Sequence, residues 1–503
     1  MSDSHNAVAK VVSLAPSNIW MRRLLGFPVL LGAILVAGVF ATTLKRDASG
    51  TAFREGDTWW HLAAGQAILS THRLPHSDPY SFTASGQNWV AYEWLGDITM
   101  AAAERAAGLA GIAFLLFVFA ASIMLLTCYL AYLRSGNWQA AFLTSAAFLV
   151  VGVYFFTLRP QLMGYTLLLI ELICLERFRA GKQQQLWALP LIFLLWVNLH
   201  GSFVLGLFCL AVFVVSGFIN IRQGGICSDL WTRAQRGHLA WIVPLSLSAL
   251  FVTPYGSQLV FYPLRVAFRQ PLNIANIQEW MPLPFDLMVG KLILGAVLVF
   301  IIALIILRPV FRLDEIALFV PVLFASIIHR RIALFLMILF VPMLAKVAAE
   351  FLPSYRPEID KHWLNLVLMA LMVFGAVRLS ANNESLSKAL SEKFPVRAVN
   401  YLRAHPVNSP MYNEYGWGGY LIWAYPEKKV FIDGRTDIYE NSGVFSDYLS
   451  ISRLAPGTLD LLRKYGIGMC VLERSSPLGT LLQALPDWRL TYEDDLSSVY
   501  VHK

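Results

Sequence analysis

A carboxylate, two indoles and an imidazole lie together in the segment 56–62, GDTWWHL, directly after the first apolar stretch of the chain. Asp57 and His61 are four residues apart, so on a helix they share one face. A carboxylate can take a proton from a substrate hydroxyl, and an imidazole can hydrogen-bond beside it. Asp57 is also a residue type that starts helices as an N-cap, and the two roles can coexist.

The composition places this segment at the edge of a membrane. Hydrophobic residues form 57% of the chain and charged residues 14%, which lies outside the range of soluble proteins. Apolar runs near the roughly 18 residues that a spanning helix needs predict a polytopic α-helical membrane protein of about 11 spans. The predicted spans are 24–42, 109–133, 138–156, 161–176, 186–199, 203–221, 239–253, 287–307, 315–328, 332–349 and 363–379.

Lysine and arginine residues in the short loops set the orientation. Arg22, Arg23, Arg134 and Arg177 lie in alternate loops, which predicts an inner N-terminus and an outer C-terminus in the cytoplasmic membrane of a bacterial cell. This loop bias accounts for the net charge of +8 without a nucleic-acid partner. The first span follows polar residues 1–22 and reads as a retained signal anchor.

Three spans are too short to cross a bilayer. Those ending at Leu199, Thr253 and Ile328 have only about 13 to 15 residues, and each stops at polar groups on the outer side. Charge and broken backbone at membrane depth persist where they line protein or water. We therefore expect a polar outer cavity, although these groups could instead lie among lipid headgroups. Its expected substrate-binding residues are Arg159, His200, Tyr255, Arg330 and Arg331.

The first outer loop, residues 43–108, is expected to be structured. Residues 58–70 are predicted to form an amphipathic helix with its tryptophans, Trp60 included, at the membrane interface. A turn carries Asp78, and a second helix over 89–107 carries Glu93 and Asp97. In a later outer loop, Glu279 either guards the cavity entrance or anchors the loop at the interface.

Residues 381–503 are predicted to form a separate soluble α/β domain outside the membrane, and residues 1–380 the transmembrane domain. We expect helices over 396–404, 458–465 and 478–485, strands over 429–432 and 468–472, and a terminal hairpin turning at 494–495. Asp433 and Arg435 follow the first of these strands, where α/β sheets often bind ligands. An Asp–Arg pair that only holds a tight turn explains them equally well.

These features together resemble the GT-C glycosyltransferases. The resemblance rests on an acidic residue in a long first outer loop, many spans and an outer C-terminal domain. The segments DTWWHL (57–62), DPYS (78–81), NLHG (198–201) and FIDGR (431–435) also look like those of a group of bacterial membrane proteins usually placed near this superfamily. The resemblance implies a polyprenyl-phosphate sugar as donor, with Asp57 as the first-loop catalytic acid. Arg159, Arg330 and Arg331 would bind the donor phosphate. Family members usually carry a second acid in the next outer loop, where this chain has Arg159.

The sequence therefore predicts a membrane glycosyltransferase that acts on the outer face of the membrane, with Asp57 and Glu93 as catalytic residues. The remaining candidates are expected to bind substrate: Trp60, His61, Asp78, Arg159, His200, Tyr255, Glu279, Arg330, Arg331, Asp433 and Arg435. A divalent metal is compatible with Asp57 and His61, although no fixed-spacing metal motif is present. The acceptor and sugar are open, and a polar-lipid transporter or a non-catalytic scaffold are the alternatives.

Overall fold

Helices dominate the N-terminal three quarters of the chain. The computed structural model describes residues 24–503, so Arg22, Arg23 and the polar start of the chain lie outside the described residues. The helices are α1 Phe27–Thr43, α2 Asp57–Thr71, α3 Trp94–Ser135, α4 Trp138–Gly152, α5 Pro160–Arg179, α6 Leu189–Leu199, α7 Phe203–Ser216, α8 Arg233–Ala249, α9 Ser257–Val260, α10 Tyr262–Arg269, α11 Pro271–Asn276, α12 Met288–Leu307, α13 Leu313–Ile328, α14 Ala333–Ala348 and α15 His362–Leu379. A small sheet joins β1 Ile221–Gln223, β2 Ile226–Ser228 and β3 Phe311–Arg312.

Several of these helices have the length and apolarity that a bilayer requires. Within residues 24–503 there are four, namely α3, α12, α15 and the segment Arg330–Ala348 that contains α14. Helices α1, α4 and α7 are apolar but shorter. Helix α3 is kinked at Ala107 and Gly108, so its first three turns form a separate segment from its long apolar part.

The short helices are a real feature of the fold. Helices α6, α8 and α13 have 11, 17 and 16 residues, and they end at Leu199, Ala249 and Ile328. At about 1.5 Å per residue, none of them covers the roughly 30 Å of a hydrocarbon core. The segments that follow α6 and α13 carry His200 and Arg331, which line the cavity described below.

The C-terminal part combines helices with a second sheet. Its elements are α16 Asn383–Ser391, α17 Val396–Ala404, β4 Met411–Asn413, α18 Tyr415–Ala424, α19 Thr436–Asn441, α20 Val444–Ser452, α21 Thr458–Lys464, β5 Met469–Glu473, α22 Pro477–Gln483, β6 Trp488–Glu493 and β7 Ser497–His502. The strand order is β4-β5-β7-β6, with β4 and β5 parallel and the other pairs antiparallel. The three predicted helices, the strand near 468–472 and the terminal hairpin are confirmed.

The predicted strand over 429–432 is wrong. A side chain replaces the backbone of a partner strand: Asn413, the last residue of β4, accepts the Phe431 N–H at 2.8 Å and donates to the Ile432 carbonyl at 2.9 Å. The first outer loop supplies the rest, because Val430 donates its N–H to the Tyr80 carbonyl at 3.1 Å. The segment therefore joins the two parts of the molecule instead of entering the sheet.

The predicted interfacial position of the α2 tryptophans is also wrong. Trp59 has no exposed surface and Trp60 is 4% exposed. The indole of Trp59 lies 4.8 Å from that of Trp423 and 5.6 Å from the Tyr420 ring, measured between centroids. The C-terminal helix α18 covers this face, so burial in protein replaces the expected contact with lipid.

Two glycines allow this close packing. A Cβ at Gly419 would lie 2.4 Å from the carbonyl oxygen of Gly56, and a Cβ at Gly65 would lie 2.1 Å from the carbonyl oxygen of Asp97. Both approaches involve backbone atoms that cannot swing aside. Helix α2 is therefore held tightly between α18 of the C-terminal part and the start of α3.

Candidate active site

A cavity of about 250 Å³ lies where residues 43–108, the segments that follow α6 and α13, and the C-terminal part meet. Most of the predicted site residues line it: Asp57, Trp60, His61, Glu93, Arg159, His200, Glu279 and Arg331. Tyr92, Tyr262, Tyr415 and Asp437 also line it, and the sequence analysis did not single these out as site residues. The expected polar cavity between helix ends is therefore present.

Carboxylates and guanidinium groups alternate along one wall of the cavity. Arg159 forms ion pairs with Asp57 and with Glu279, and its guanidinium is 3.8 Å from the carboxylate of Glu55. Glu279 also lies 3.9 Å from Arg331. Both arginines are thus held beside carboxylates in the cavity wall, and a guanidinium group is also a strong donor to an oxyanion.

Asp57 is the first residue of α2 and not its cap. Gly56 occupies the N-cap position, and the helix start has no side-chain capping hydrogen bond. The Asp57 side chain instead reaches Arg159, and it packs closely on the loop before α19, where a Cβ at Gly434 would lie 1.6 Å from Oδ1 of Asp57. The predicted N-cap position of Asp57 is therefore wrong, since Gly56 occupies it.

A second polar group of the cavity centres on Glu93. Its Oε2 is 3.3 Å from His61 Nε2 and its Oε1 is 3.1 Å from His200 Nε2. His200 Nδ1 accepts the backbone N–H of Ser202 at 2.9 Å, so the proton of this imidazole lies on Nε2 and points at Glu93. Asp97 contacts His61 from behind, with 2.6 Å between Oδ1 and Nδ1.

Burial shifts the pKa values of these groups in the direction that favours their neutral forms. Desolvation raises the pKa of Glu93 to about 7 against the opposing effect of His61, and desolvation lowers the pKa of His61 to about 4. His61 is therefore neutral at pH 7, and Glu93 changes its charge in the physiological range. A carboxyl group with such a pKa is suited to general base catalysis.

The C-terminal part completes the cavity through α19. Asp437 accepts a hydrogen bond from the Tyr262 hydroxyl at 2.8 Å, and the Tyr262 ring stacks on Tyr92 with 4.3 Å between centroids. Desolvation raises the pKa of Asp437 to about 6. Aromatic faces beside carboxylates suit a sugar or another polyhydroxylated ligand.

Asp78, Asp433 and Arg435 form a buried ion-pair network next to the cavity and do not line it. Arg435 binds Asp433 at 2.7 Å and Asp78 at 2.8 Å, and its side chain is 1% exposed. Its guanidinium also lies over the Trp89 ring at 4.6 Å. The Asp–Arg pair thus holds the turn and ties the first outer loop to the C-terminal part.

Two other predicted residues lie apart from the main cavity. Tyr255 is buried, and its hydroxyl donates to the Pro75 carbonyl at 2.8 Å. Arg330 lines a smaller neighbouring cavity of about 100 Å³, which shares Glu279 and Arg331 with the main one. The structure thus places Arg331 facing the main cavity and Arg330 beside it.

The residues present do not fit a divalent ion at Asp57 and His61. The Asp57 carboxylate is paired with a guanidinium, and both ring nitrogens of His61 already face carboxylates. Within residues 24–503, no group of three or more His, Cys, Asp or Glu side chains is arranged to hold a metal ion. A cation at this site would have to displace Arg159 first.

Comparisons with solved structures identify the fold. The archaeal oligosaccharyltransferase AglB of Archaeoglobus fulgidus, in complex with an inhibitory peptide and a dolichol-phosphate, matches with a TM-score of 0.53 and 11% identity over 90% of this chain and 69% of that one. The same enzyme tethered to an acceptor peptide matches with a TM-score of 0.52 and 10% identity over 91% and 69%. ArnT of Cupriavidus metallidurans bound to undecaprenyl phosphate matches with a TM-score of 0.47 and 14% identity over 93% and 96%.

No family model and no curated protein sequence matches this chain. The two oligosaccharyltransferase structures share the fold of this chain, which confirms at the level of the fold the resemblance predicted from the sequence. The chain is a multi-pass membrane protein with a small C-terminal sheet.

Proposed function

We propose that this protein is a membrane glycosyltransferase that moves a sugar from a polyprenyl-phosphate donor to an acceptor. The observation that carries the proposal is that Asp57 and Glu93 face the same cavity as Arg159 and Arg331. Glycosyl transfer from a lipid phosphate needs a base for the acceptor hydroxyl and cations for the leaving phosphate. The AglB fold, determined with a dolichol-phosphate, supports the lipid-linked donor.

The two arginines are the proposed phosphate-binding residues. Their guanidinium groups are anchored by Asp57 and Glu279, so they need little reorganisation when a phosphate arrives. Arg331 also lies over the Trp280 ring at 5.1 Å, which holds its plane towards the cavity. We place the lipid phosphate at this wall, with Arg330 in the adjoining small cavity at the entry side.

The acceptor is proposed to lie between Glu93 and α19. This position puts a hydroxyl within reach of Glu93, and it places the Tyr92–Tyr262 stack and Asp437 along the rest of the acceptor. Trp60, His61 and His200 then form the floor around the reacting atoms. The proton of the acceptor hydroxyl goes to one of the two cavity carboxylates, Asp57 or Glu93.

We propose about 11 spans, as expected from the apolar runs, with residues 1–380 as the transmembrane domain and residues 381–503 as an extracytoplasmic domain. The N-terminus would then lie inside the cytoplasmic membrane of a bacterial cell. Protease added from the outer side should cleave a C-terminal tag in intact cells and leave an N-terminal tag intact.

The function is tested with purified protein in lipid nanodiscs and a panel of polyprenyl-phosphate sugars. Release of free polyprenyl phosphate is measured for the wild type, for Asp57→Asn and for Asp286→Asn, a control in an exposed loop. We expect turnover in the wild type and the control, and its loss in Asp57→Asn with the fold unchanged. Donor binding without turnover in all three would refute the proposal and favour a transporter or scaffold.

A further inference from the structure

A fully buried carboxyl group that the proposed reaction leaves unused lies directly behind His61. Asp97 is 0% exposed, and its Oδ1 is 2.6 Å from His61 Nδ1. Its second oxygen, Oδ2, is buried without a hydrogen-bond partner. The group belongs to the first turns of α3, before the kink, and Gly65 lets α2 approach its backbone closely.

The charge of this group decides which nitrogen of His61 carries the proton. An ionised Asp97 would accept a proton from Nδ1, which leaves the lone pair of Nε2 facing Glu93. An un-ionised Asp97 would donate to Nδ1, and the imidazole proton would then lie on Nε2 and point at Glu93. The two arrangements hold the same number of protons but give Glu93 opposite roles.

The surroundings favour the second arrangement. Among residues 24–503, no lysine or arginine forms an ion pair with Asp97, and its one basic neighbour within 4 Å is the neutral imidazole of His61. A buried carboxylate with one oxygen lacking any donor is costly, whereas the neutral acid is far less so. His200, whose Nδ1 accepts the Ser202 N–H, already presents its Nε2 proton to the other oxygen of Glu93.

We propose that Asp97 is an un-ionised positioning residue that fixes His61 as an Nε2–H donor, so that His61 and His200 together hold Glu93 as the carboxylate base. This inference rests on the proposed function and assigns the base within it. Asp57, paired with Arg159, then serves the donor side of the cavity.

The proposed transfer forms one bond, breaks one bond and moves one proton within the cavity. The acceptor oxygen forms a bond to the anomeric carbon as its proton passes to Glu93. The bond between that carbon and the phosphate oxygen breaks, and its electron pair leaves with the phosphate. Both imidazoles keep their protons throughout, and Asp97 keeps its own.

Other charged groups also face Glu93. Arg331 and Asp437 act on it across the cavity from separate elements, in addition to His61, His200 and Asp97. The first is positive and the second is an acid, so the pH response of Glu93 includes both. Variants at Asp97 leave these two groups untouched, which keeps the test specific.

The test compares Asp97→Asn with Asp97→Leu, and uses Glu104→Gln as a control on the same helix. Asparagine can donate to Nδ1 as an un-ionised acid does, so we expect its pH profile of turnover to match that of the wild type. Leucine removes the donor. We then expect the midpoint of the low-pH side of the profile to rise by about one pH unit, because the free energy of a hydrogen bond to a charged group corresponds to a pKa shift of about one unit. Two results would overturn the proposal. Loss of turnover at every pH in a folded Asp97→Asn variant would show that the proton moves onto Asp97 during the reaction. A wild-type pH profile in Asp97→Leu would show that Asp97 has no positioning role.

A second measurement does not depend on turnover or on the leucine variant. The infrared difference spectrum of wild type minus Asp97→Asn at pH 7 should contain the carbonyl band of an un-ionised carboxylic acid, and wild type minus Glu104→Gln should not. A difference spectrum that contains only carboxylate bands would refute the un-ionised state. Because this measurement needs no substrate, an absence of donor turnover would count against the proposed function while the spectrum still decides the state of Asp97.

Discussion

Replacing Arg435 with leucine should destabilise the protein by removing the cation from a closed network. The side chains of Arg435, Asp433 and Asp78 are 1%, 0% and 0% exposed, so water cannot stabilise the two carboxylates that would remain. Breaking a buried ion pair costs about 3–5 kcal/mol. Two carboxylates lose one shared partner here, but Asp78 still accepts the N–H groups of Tyr80 and Ser81, both at 3.0 Å. We therefore expect a loss of about 3 kcal/mol, near the lower end of that range.

The free energy of unfolding is measured in detergent. Tryptophan fluorescence and protease cleavage of the C-terminal part report the unfolded fraction. The matched control is Arg463→Leu, because that guanidinium binds Asp460 at 2.7 Å but is 78% exposed. An exposed pair of this kind contributes about 0–1 kcal/mol. Adding Asp433→Asn to Arg435→Leu should restore part of the stability, since the amide carries no buried charge. Equal stability of Arg435→Leu and Arg463→Leu would refute the reasoning.

Three further outcomes are expected of the site. Gly434→Ala should keep the fold and lower turnover at least tenfold, because the new Cβ would lie 1.6 Å from Asp57 Oδ1 and would turn that carboxylate. The control Gly237→Ala should have no effect on turnover, because its new Cβ would have no atom within 4 Å. Arg331→Ala should raise the KM for the lipid donor roughly tenfold, as expected for a lost charged hydrogen bond, and a changed kcat at constant KM would contradict a phosphate-binding role. Because the pKa of Glu93 is raised to about 7, the base is protonated below that value, so kcat/KM should increase with pH through about 7; a flat profile from pH 5 to 9 would exclude Glu93 as the base.

Local patterns in the sequence account for much of the fold. The helix that carries Asp57 and His61, the short helices that end at Leu199 and Ile328, and the terminal hairpin all follow from periodicity and turn residues. The cavity itself could be expected because polar groups at helix ends need protein or water around them. The helical membrane fold and most of the charged residues that line the cavity could therefore be predicted from the sequence.

Contacts between segments that are distant in the chain could not be predicted from the sequence. The pairing of Asp57 with Arg159 joins residues of different loops, and no periodicity reports it. The apolar run at 429–432 has the composition of a buried strand, but the side chain of Asn413 replaces the partner strand. Asp437 lies in the same DGRTD motif as Asp433, and only the direction of α19 decides which of the two reaches the cavity.

The contribution of α19 to the cavity has a consequence for biosynthesis. Asp57 and Asp437 line the same space but are roughly 380 residues apart in the chain. At a synthesis rate of about 5–20 residues per second, the first loop waits roughly 20–80 s for the residues that complete its site. During that interval Trp59 lacks its cover from α18 and the Asp78 carboxylate lacks Arg435. The nascent protein therefore passes through an unfinished stage that exposes an aromatic surface, and a chaperone or protease would meet it at that stage.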